Sequence, residues 1–139
     1  MTIQQTKPVK AVFFDIGNTL GKVNLASKTL SPFPEMVELL RTVRQVFGVY
    51  TGVITDIPED WETADVEALL RGAGVIELLS TGGVLTSKDA GVEKKDGPSI
   101  FFAAALRGGV KPEECLFIDD SEVNVQNACA AGMAALQKI

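Results

Sequence analysis

Val9-Lys10-Ala11-Val12-Phe13-Phe14-Asp15-Ile16-Gly17-Asn18-Thr19-Leu20 decides the reading of the fold. The apolar run through Phe14 has the length and composition of a buried strand, and Gly-Asn-Thr cannot continue it. Asp15 therefore hangs off the carboxyl end of a strand predicted to be central. In open α/β sheets that edge is where ligands bind. A second landmark repeats the pattern near the other end of the chain, where Leu116-Phe117-Ile118 runs into Asp119-Asp120-Ser121. Two apolar strands that each end in carboxylate predict one acidic site assembled from both halves of the sequence.

Outward from these landmarks, strand and helix signals alternate. Val9 to Phe14 reads as the first strand, and the Gly-, Ser- and Pro-bearing stretch from Gly17 to Pro34 as a hairpin or flap. Pro34 opens a helix with an apolar stripe at Met36, Leu39, Leu40, Val43 and Phe47. Val49 to Ile54 is the second strand and ends at Thr55-Asp56. Asp60 or Thr63 caps the next helix, which buries Val66, Leu69 and Leu70 and stops at Gly72 and Gly74. Val75 to Leu79 reads as one more helical turn, Val84 to Thr86 as a short strand, and Lys88 to Gly97 as polar loop. Pro98 then starts a helix through Leu106, and Gly108-Gly109 stops it. Cys115 to Ile118 is a strand, Glu122 to Ala131 a helix, and Ala134 to Gln137 a last short strand. The alternation predicts a three-layer, Rossmann-like α/β domain over residues 1–139, with a mainly parallel central sheet covered by helices on both faces.

Bulk properties narrow the function. The 139 residues are enough for one domain with a real core, and a composition of 46% hydrophobic and 22% charged residues is globular. A net charge of −5 argues against nucleic acid and against an anionic membrane surface as partners. The chain has no His, which removes the commonest proton shuttle and transition-metal ligand. Acid–base or metal chemistry must then run on carboxylates, which favours a hard, oxygen-seeking ion such as Mg²⁺. The two cysteines, Cys115 and Cys129, have no Cys-x-x-Cys spacing and read as buried free thiols of a reducing compartment. Met1 to Lys10 is polar, and the longest apolar run, Ile100 to Leu106, is far too short to span a membrane. The expectation is a soluble cytoplasmic protein.

Four stretches, in order, resemble the haloacid dehalogenase (HAD) superfamily of phosphohydrolases. They are Phe14-Asp15-Ile-Gly-Asn-Thr19-Leu; Gly52-Val-Ile-Thr55-Asp56; Lys95 followed by Pro98 and Ile100-Phe101; and Phe117-Ile-Asp119-Asp120-Ser-Glu-Val-Asn124, closing with Ala131-Gly132-Met133. The resemblance implies a Mg²⁺-dependent phosphatase in which Asp15 is the nucleophile and forms an aspartyl-phosphate that water later hydrolyses. It implies a metal held by Asp15, Asp120, Asp119 and the main-chain carbonyl of Gly17, with Asn124 where many relatives carry an acid. Thr55 matches the hydroxyl that donates to a phosphate oxygen, and the backbone amide of Asp56 helps. Lys95 matches the lysine that offsets phosphate and nucleophile, with Lys94 competing for that role one residue away; the spacing to Pro98 and Phe101 favours Lys95.

Two departures from the family pattern shape the expectation. Most phosphatases of this kind carry a second Asp two residues after the nucleophile as general acid and base, and here that position is Gly17. Losing a general acid typically costs on the order of 10²–10⁴ in rate. Acyl and aryl phosphates, whose leaving groups need little protonation, suffer least, and Asp56 or Asp119 could stand in as base. The other departure is size. Asp15 to Thr55 is 40 residues and Thr55 to Lys95 another 40, each filled by one helix and a strand, so no cap domain is expected. An open site suits a large phosphorylated substrate, or closure by a second copy of the chain.

Plainer readings stand beside these. Asp15 could cap a turn, Asp119-Asp120 could be an N-cap pair, Thr55 could merely end its strand, and Lys94-Lys95 could be a solvated pair. Trp61 reads as a cover for the helix start. A catalytically impaired relative that binds phosphate or a protein partner is the alternative of another class, favoured by Gly17. Hydrolysis at carbon is a third option; the Asp119-Asp120 pair weighs against it, because halide displacement needs no Mg²⁺.

Overall fold

A computed structural model describes residues 7–139. The polar lead foreseen for residues 1–10 falls, for residues 1–6, outside the described residues. Along the chain run β1 (Ala11–Phe14), β2 (Gly21–Asn24), β3 (Thr29–Pro32), α1 (Pro34–Thr42), β4 (Tyr50–Thr55), α2 (Thr63–Gly72), β5 (Val84–Thr86), α3 (Ser87–Ala90), α4 (Ser99–Arg107), β6 (Cys115–Asp119), α5 (Glu122–Ala131) and β7 (Ala134–Gln137). Five strands form one sheet in the order β5-β4-β1-β6-β7, and every pair in it is parallel. The fold is the expected three-layer α/β arrangement.

Strand periodicity divides the core in two. Val12 and Phe14 point to the face covered by Met36 and Leu40 of α1 and by Val66, Leu69 and Leu70 of α2. Ala11 and Phe13 point to the opposite face, where α4 supplies Ile100, Phe101, Ala104 and Ala105 and α5 supplies Ala128 and Ala131. All four residues of β1 are buried, which explains why its sequence is continuously apolar instead of alternating.

The Gly17–Pro34 stretch holds the antiparallel β2–β3 hairpin, the expected flap. Gly21 is required there, because a Cβ would collide with the Ser31 carbonyl and the Pro32 backbone. Among the described residues no further domain interrupts the strand–helix alternation, and no helix is long and apolar enough to cross a membrane.

Several local expectations are corrected. Val9 lies outside β1 and is exposed. The stripe of the first helix holds only for its first turns. From Val43 to Phe47 the helix widens to a π-helical turn, which rotates side chains off the α-helical stripe, and Phe47 is 71% exposed. Leu39 is also exposed. Glu62, rather than Asp60 or Thr63, caps α2, in a reciprocal box with Asp65. Lys88 to Gly97 is not all loop: it contains part of α3 and a 3₁₀ turn at Lys94–Asp96. Cys115 is buried but Cys129 is exposed, and both are free.

Candidate active site

The chain visits β1, β4 and β5 on one side of the sheet before returning to β6 and β7 on the other, so direction reverses between β1 and β6. Ligand crevices form at such switch points. The register sets the spacing there. Phe14 lies level with Ile118, and the Asp15 amide donates to the Ile118 carbonyl at 2.9 Å. Asp15 and Asp119 are therefore neighbours at the carboxyl ends of the two central strands. One carboxylate oxygen each from Asp15, Asp119 and Asp120 lies within 4.8 Å of the others.

The lysine in this cluster is Lys94, not Lys95. The Lys94 ammonium donates to Asp15 Oδ1 at 2.5 Å and to Asp119 Oδ2 at 2.9 Å, and its side chain is 2% exposed. Lys95 points to solvent, 66% exposed, 3.6 Å from Glu93. The cause is local. Glu93 and Asp96 cap the 3₁₀ turn reciprocally, and successive residues of such a turn sit about 120° apart, so one lysine faces in and the next faces out. Lys94 is also held by its main chain. Its amide donates to Asp56 Oδ1 at 3.1 Å, and its carbonyl accepts from Asn127 Nδ2 at 2.8 Å. Asn127 was not foreseen in the sequence; it lies one helical turn after Asn124, on the helix that follows the acidic pair.

Asp119 is fully buried yet well satisfied. Besides Lys94 it accepts from Asn124 Nδ2 at 3.0 Å and from the Ser121 amide at 2.9 Å. Burial alone would raise its pKa, but the Lys94 charge and these hydrogen bonds together bring it below the ordinary carboxylate value. Ser121 accepts from the Asn124 amide and caps α5, so the N-cap is Ser121 and neither aspartate takes that place. Asp15 has fewer compensating donors; Thr19 Oγ1 approaches its Oδ2 at 3.3 Å. Burial raises its pKa to about 7, and the neighbouring Asp119 charge adds to the rise against the pull of Lys94. Asp120, at the rim, is raised by burial and by Asp119. Two of the three acids, Asp15 and Asp119, share the one buried ammonium, and the third, Asp120, has none.

Thr55 and Asp56 end β4 beside this cluster and line the same cavity, as do Gly17 and Asn124. Thr55 is nearly buried, and Asp56 is shifted upward by its own burial. At Gly17 a Cβ would meet nothing within 4 Å. The cluster suits a hard divalent ion: three carboxylate oxygens converge, and among the described residues no Cys, His or Met lines the cavity.

The family profile described as haloacid dehalogenase-like hydrolase matches residues 18–132, and the chain belongs to that family of hydrolases. Among curated proteins it is 32% identical over 111 residues to a glyceraldehyde 3-phosphate phosphatase of Methanopyrus kandleri, covering 78% of this chain and 43% of the relative. It is 29% identical over 115 residues to a phosphoglycolate phosphatase of Xylella fastidiosa, covering 81% and 45%. The chain thus spans less than half the length of these relatives. A solved HAD-superfamily hydrolase from Ehrlichia chaffeensis superposes with a TM-score of 0.77 over 96% of this chain and 89% of that one, at 16% identity, a likeness of fold.

Proposed function

We propose that this chain, taken as one domain, is a Mg²⁺-dependent phosphatase that carries the phosphoryl group on Asp15. The observation behind this reading is the convergence of Asp15, Asp119 and Asp120 at the switch point of the sheet, with the buried Lys94 ammonium on the first two. The phosphatase names of the curated relatives support it. Asp15, Asp119, Asp120, the Gly17 carbonyl and Asn124 would hold the ion, which supplies two positive charges against the phosphate and the carboxylates. Two free thiols suit a reducing compartment such as the cytoplasm.

In the first step an Asp15 carboxylate oxygen attacks phosphorus, and the ester P–O bond breaks with its electron pair leaving on the alcohol or phenol oxygen. Water then attacks the acyl phosphate, freeing inorganic phosphate and Asp15. Each approach of like charges opposes the reaction by about 4 kcal/mol per unit pair at roughly 4 Å and effective dielectric 20. Lys94, fixed at 2.5 Å from the nucleophile, lowers that cost and orients the carboxylate. Thr55 offers a hydroxyl to a phosphate oxygen. With Gly17 no side chain is placed two residues after the nucleophile to protonate the leaving oxygen, so substrates with acidic leaving groups are favoured.

Turnover of 4-nitrophenyl phosphate with MgCl₂ and with EDTA tests this reading. Turnover that disappears in EDTA is the expected result; turnover that persists there removes the metal from the mechanism. Gly17 favours one competing reading, a phosphate-binding relative with impaired chemistry. Absence of turnover together with a melting temperature raised by Mg²⁺ would favour that reading. The space around Gly17 allows a direct check. Gly17→Asp should raise kcat for an alkyl phosphate roughly 10- to 100-fold and for an aryl phosphate much less, since only the former needs the proton. Equal effects on both, or none, would show that the missing donor does not limit the rate.

A further inference from the structure

The cavity that holds the acidic cluster has a second half of different chemistry. Its volume is about 280 Å³. Beyond the polar groups at the strand ends its wall is apolar: Val23 and Leu25 from the hairpin, Ile57 and Pro58 after β4, and Trp61 with Leu69 from the α2 region. The wall carries no spare cation. Lys94 is shared between Asp15 and Asp119, and Lys28, which lies over the Trp61 ring at 5.4 Å, is paired with Asp65 at 3.1 Å. The hydroxyl-binding groups of the cavity, Thr55, Asp56, Asp120, Ser121 and Asn124, belong to the strand ends around the acidic cluster and not to this apolar half. Asp56 accepts the Lys94 amide, and the Asn124 amide group is given to Asp119.

We infer that the leaving group of the substrate is small, apolar and uncharged, an aryl group seated between the β2–β3 hairpin and Trp61; this rests on the phosphatase reading above. A carboxylate, a second phosphate or a polyol placed there would lose its hydration against Val23, Leu25, Ile57 and Pro58 with no partner in return. The cavity is near the lower end of small-molecule sites, which fits a one- or two-ring group plus the phosphate. The same lobe agrees with Gly17: a phenol departs without a proton donor, and an aromatic ring suits this wall. Leu25 is 61% exposed on the hairpin, so it has apolar area left to bury against a ligand.

The test compares 2-naphthyl phosphate with 4-carboxyphenyl phosphate, whose leaving phenols have similar acidity, so the contrast reads the pocket and not intrinsic reactivity. Expected is a kcat/KM at least tenfold higher for the naphthyl ester, carried mainly by KM. Leu25→Ser, a change at an exposed position that should leave the fold intact, should raise KM for the naphthyl ester about fivefold and narrow the ratio between the two. Turnover of both esters with equal or reversed preference would overturn the apolar assignment while leaving the phosphatase reading standing. Turnover of neither in MgCl₂ would overturn both.

Discussion

Asp15→Asn is expected to lower kcat by a factor on the order of 10³ or more while raising the melting temperature of the protein in EDTA. The loss follows from the proposed role, since an amide oxygen cannot act as the nucleophile that forms the acyl phosphate. The gain follows from burial. Asp15 is pushed from 3.8 to about 7 by burial first and by Asp119 second, so its ionised form is disfavoured in the folded protein. Asn mimics the neutral acid and can still accept from Lys94. Each pKa unit corresponds to about 1.4 kcal/mol, so the substitution should stabilise the metal-free domain by about 2–4 kcal/mol, with relaxation trimming the upper figure. For a domain of this size that is a rise of roughly 6–12 °C.

The sign of the pH dependence distinguishes this from a generic stabilising change. A folded-state pKa above the unfolded one means the native protein binds more protons, so stability falls as pH rises from the ordinary Asp value of 3.8 to about 7. Asp56 and Asp120 are also raised and add to that slope. Asp119 is lowered, and its contribution is lost only as pH falls through the acid range below 3.8. Melting temperatures in EDTA should therefore decline between pH 4 and pH 7 for the parent protein, and decline less for Asp15→Asn. Excess Mg²⁺ should raise the parent more than the variant, because the ion would bind the native state through this carboxylate. Equal slopes in EDTA would mean that Asp15 carries no such strain.

That the strain sits at Asp15 could not be read from composition, although its position could. Asp15 and Asp119 were legible because each follows an apolar strand, and the parallel register of β1 with β6 converts that pattern into adjacency. The hairpin was legible from its turn residues. The lysine was misplaced because two identical residues stand side by side, and a residue spacing does not tell which of them the 3₁₀ turn at 94–96 faces inward. The Glu93…Asp96 pair held the missing signal: reading it as a capping box makes Lys94 the first residue of a turn and gives the two lysines opposite faces. The outward Phe47 was illegible for a related reason, since no pattern in α1 announces that its last residues step to a π-helical turn. The apolar lobe escaped the sequence altogether. Val23 and Leu25 meet Ile57 and Trp61 only through the tertiary arrangement of the hairpin against the α2 region.

The same one-residue offset gives the second large effect. Lys94→Ala should cost about 3–5 kcal/mol in stability and lower kcat on the order of 10²–10³, whereas Lys95→Ala should change stability by less than about 0.5 kcal/mol and leave kcat within a factor of two. Removing the Lys94 ammonium leaves Asp15 and Asp119 buried without their shared counter-charge, and the upward forces of burial and mutual repulsion then act unopposed. Both acids would titrate higher, so the stability deficit of Lys94→Ala should be smaller at pH 5 than at pH 8. Lys94→Met, which keeps most of the buried stem, separates packing from charge: it should recover part of the stability and none of the rate. Lys95 makes only a 3.6 Å contact with Glu93 at the surface, where ion pairs contribute little. Denaturant melts of the four proteins at the two pH values, with aryl phosphate turnover alongside, settle the assignment. A larger loss for Lys95→Ala than for Lys94→Ala would return the catalytic charge to the exposed residue and leave the buried bridge with a structural part alone.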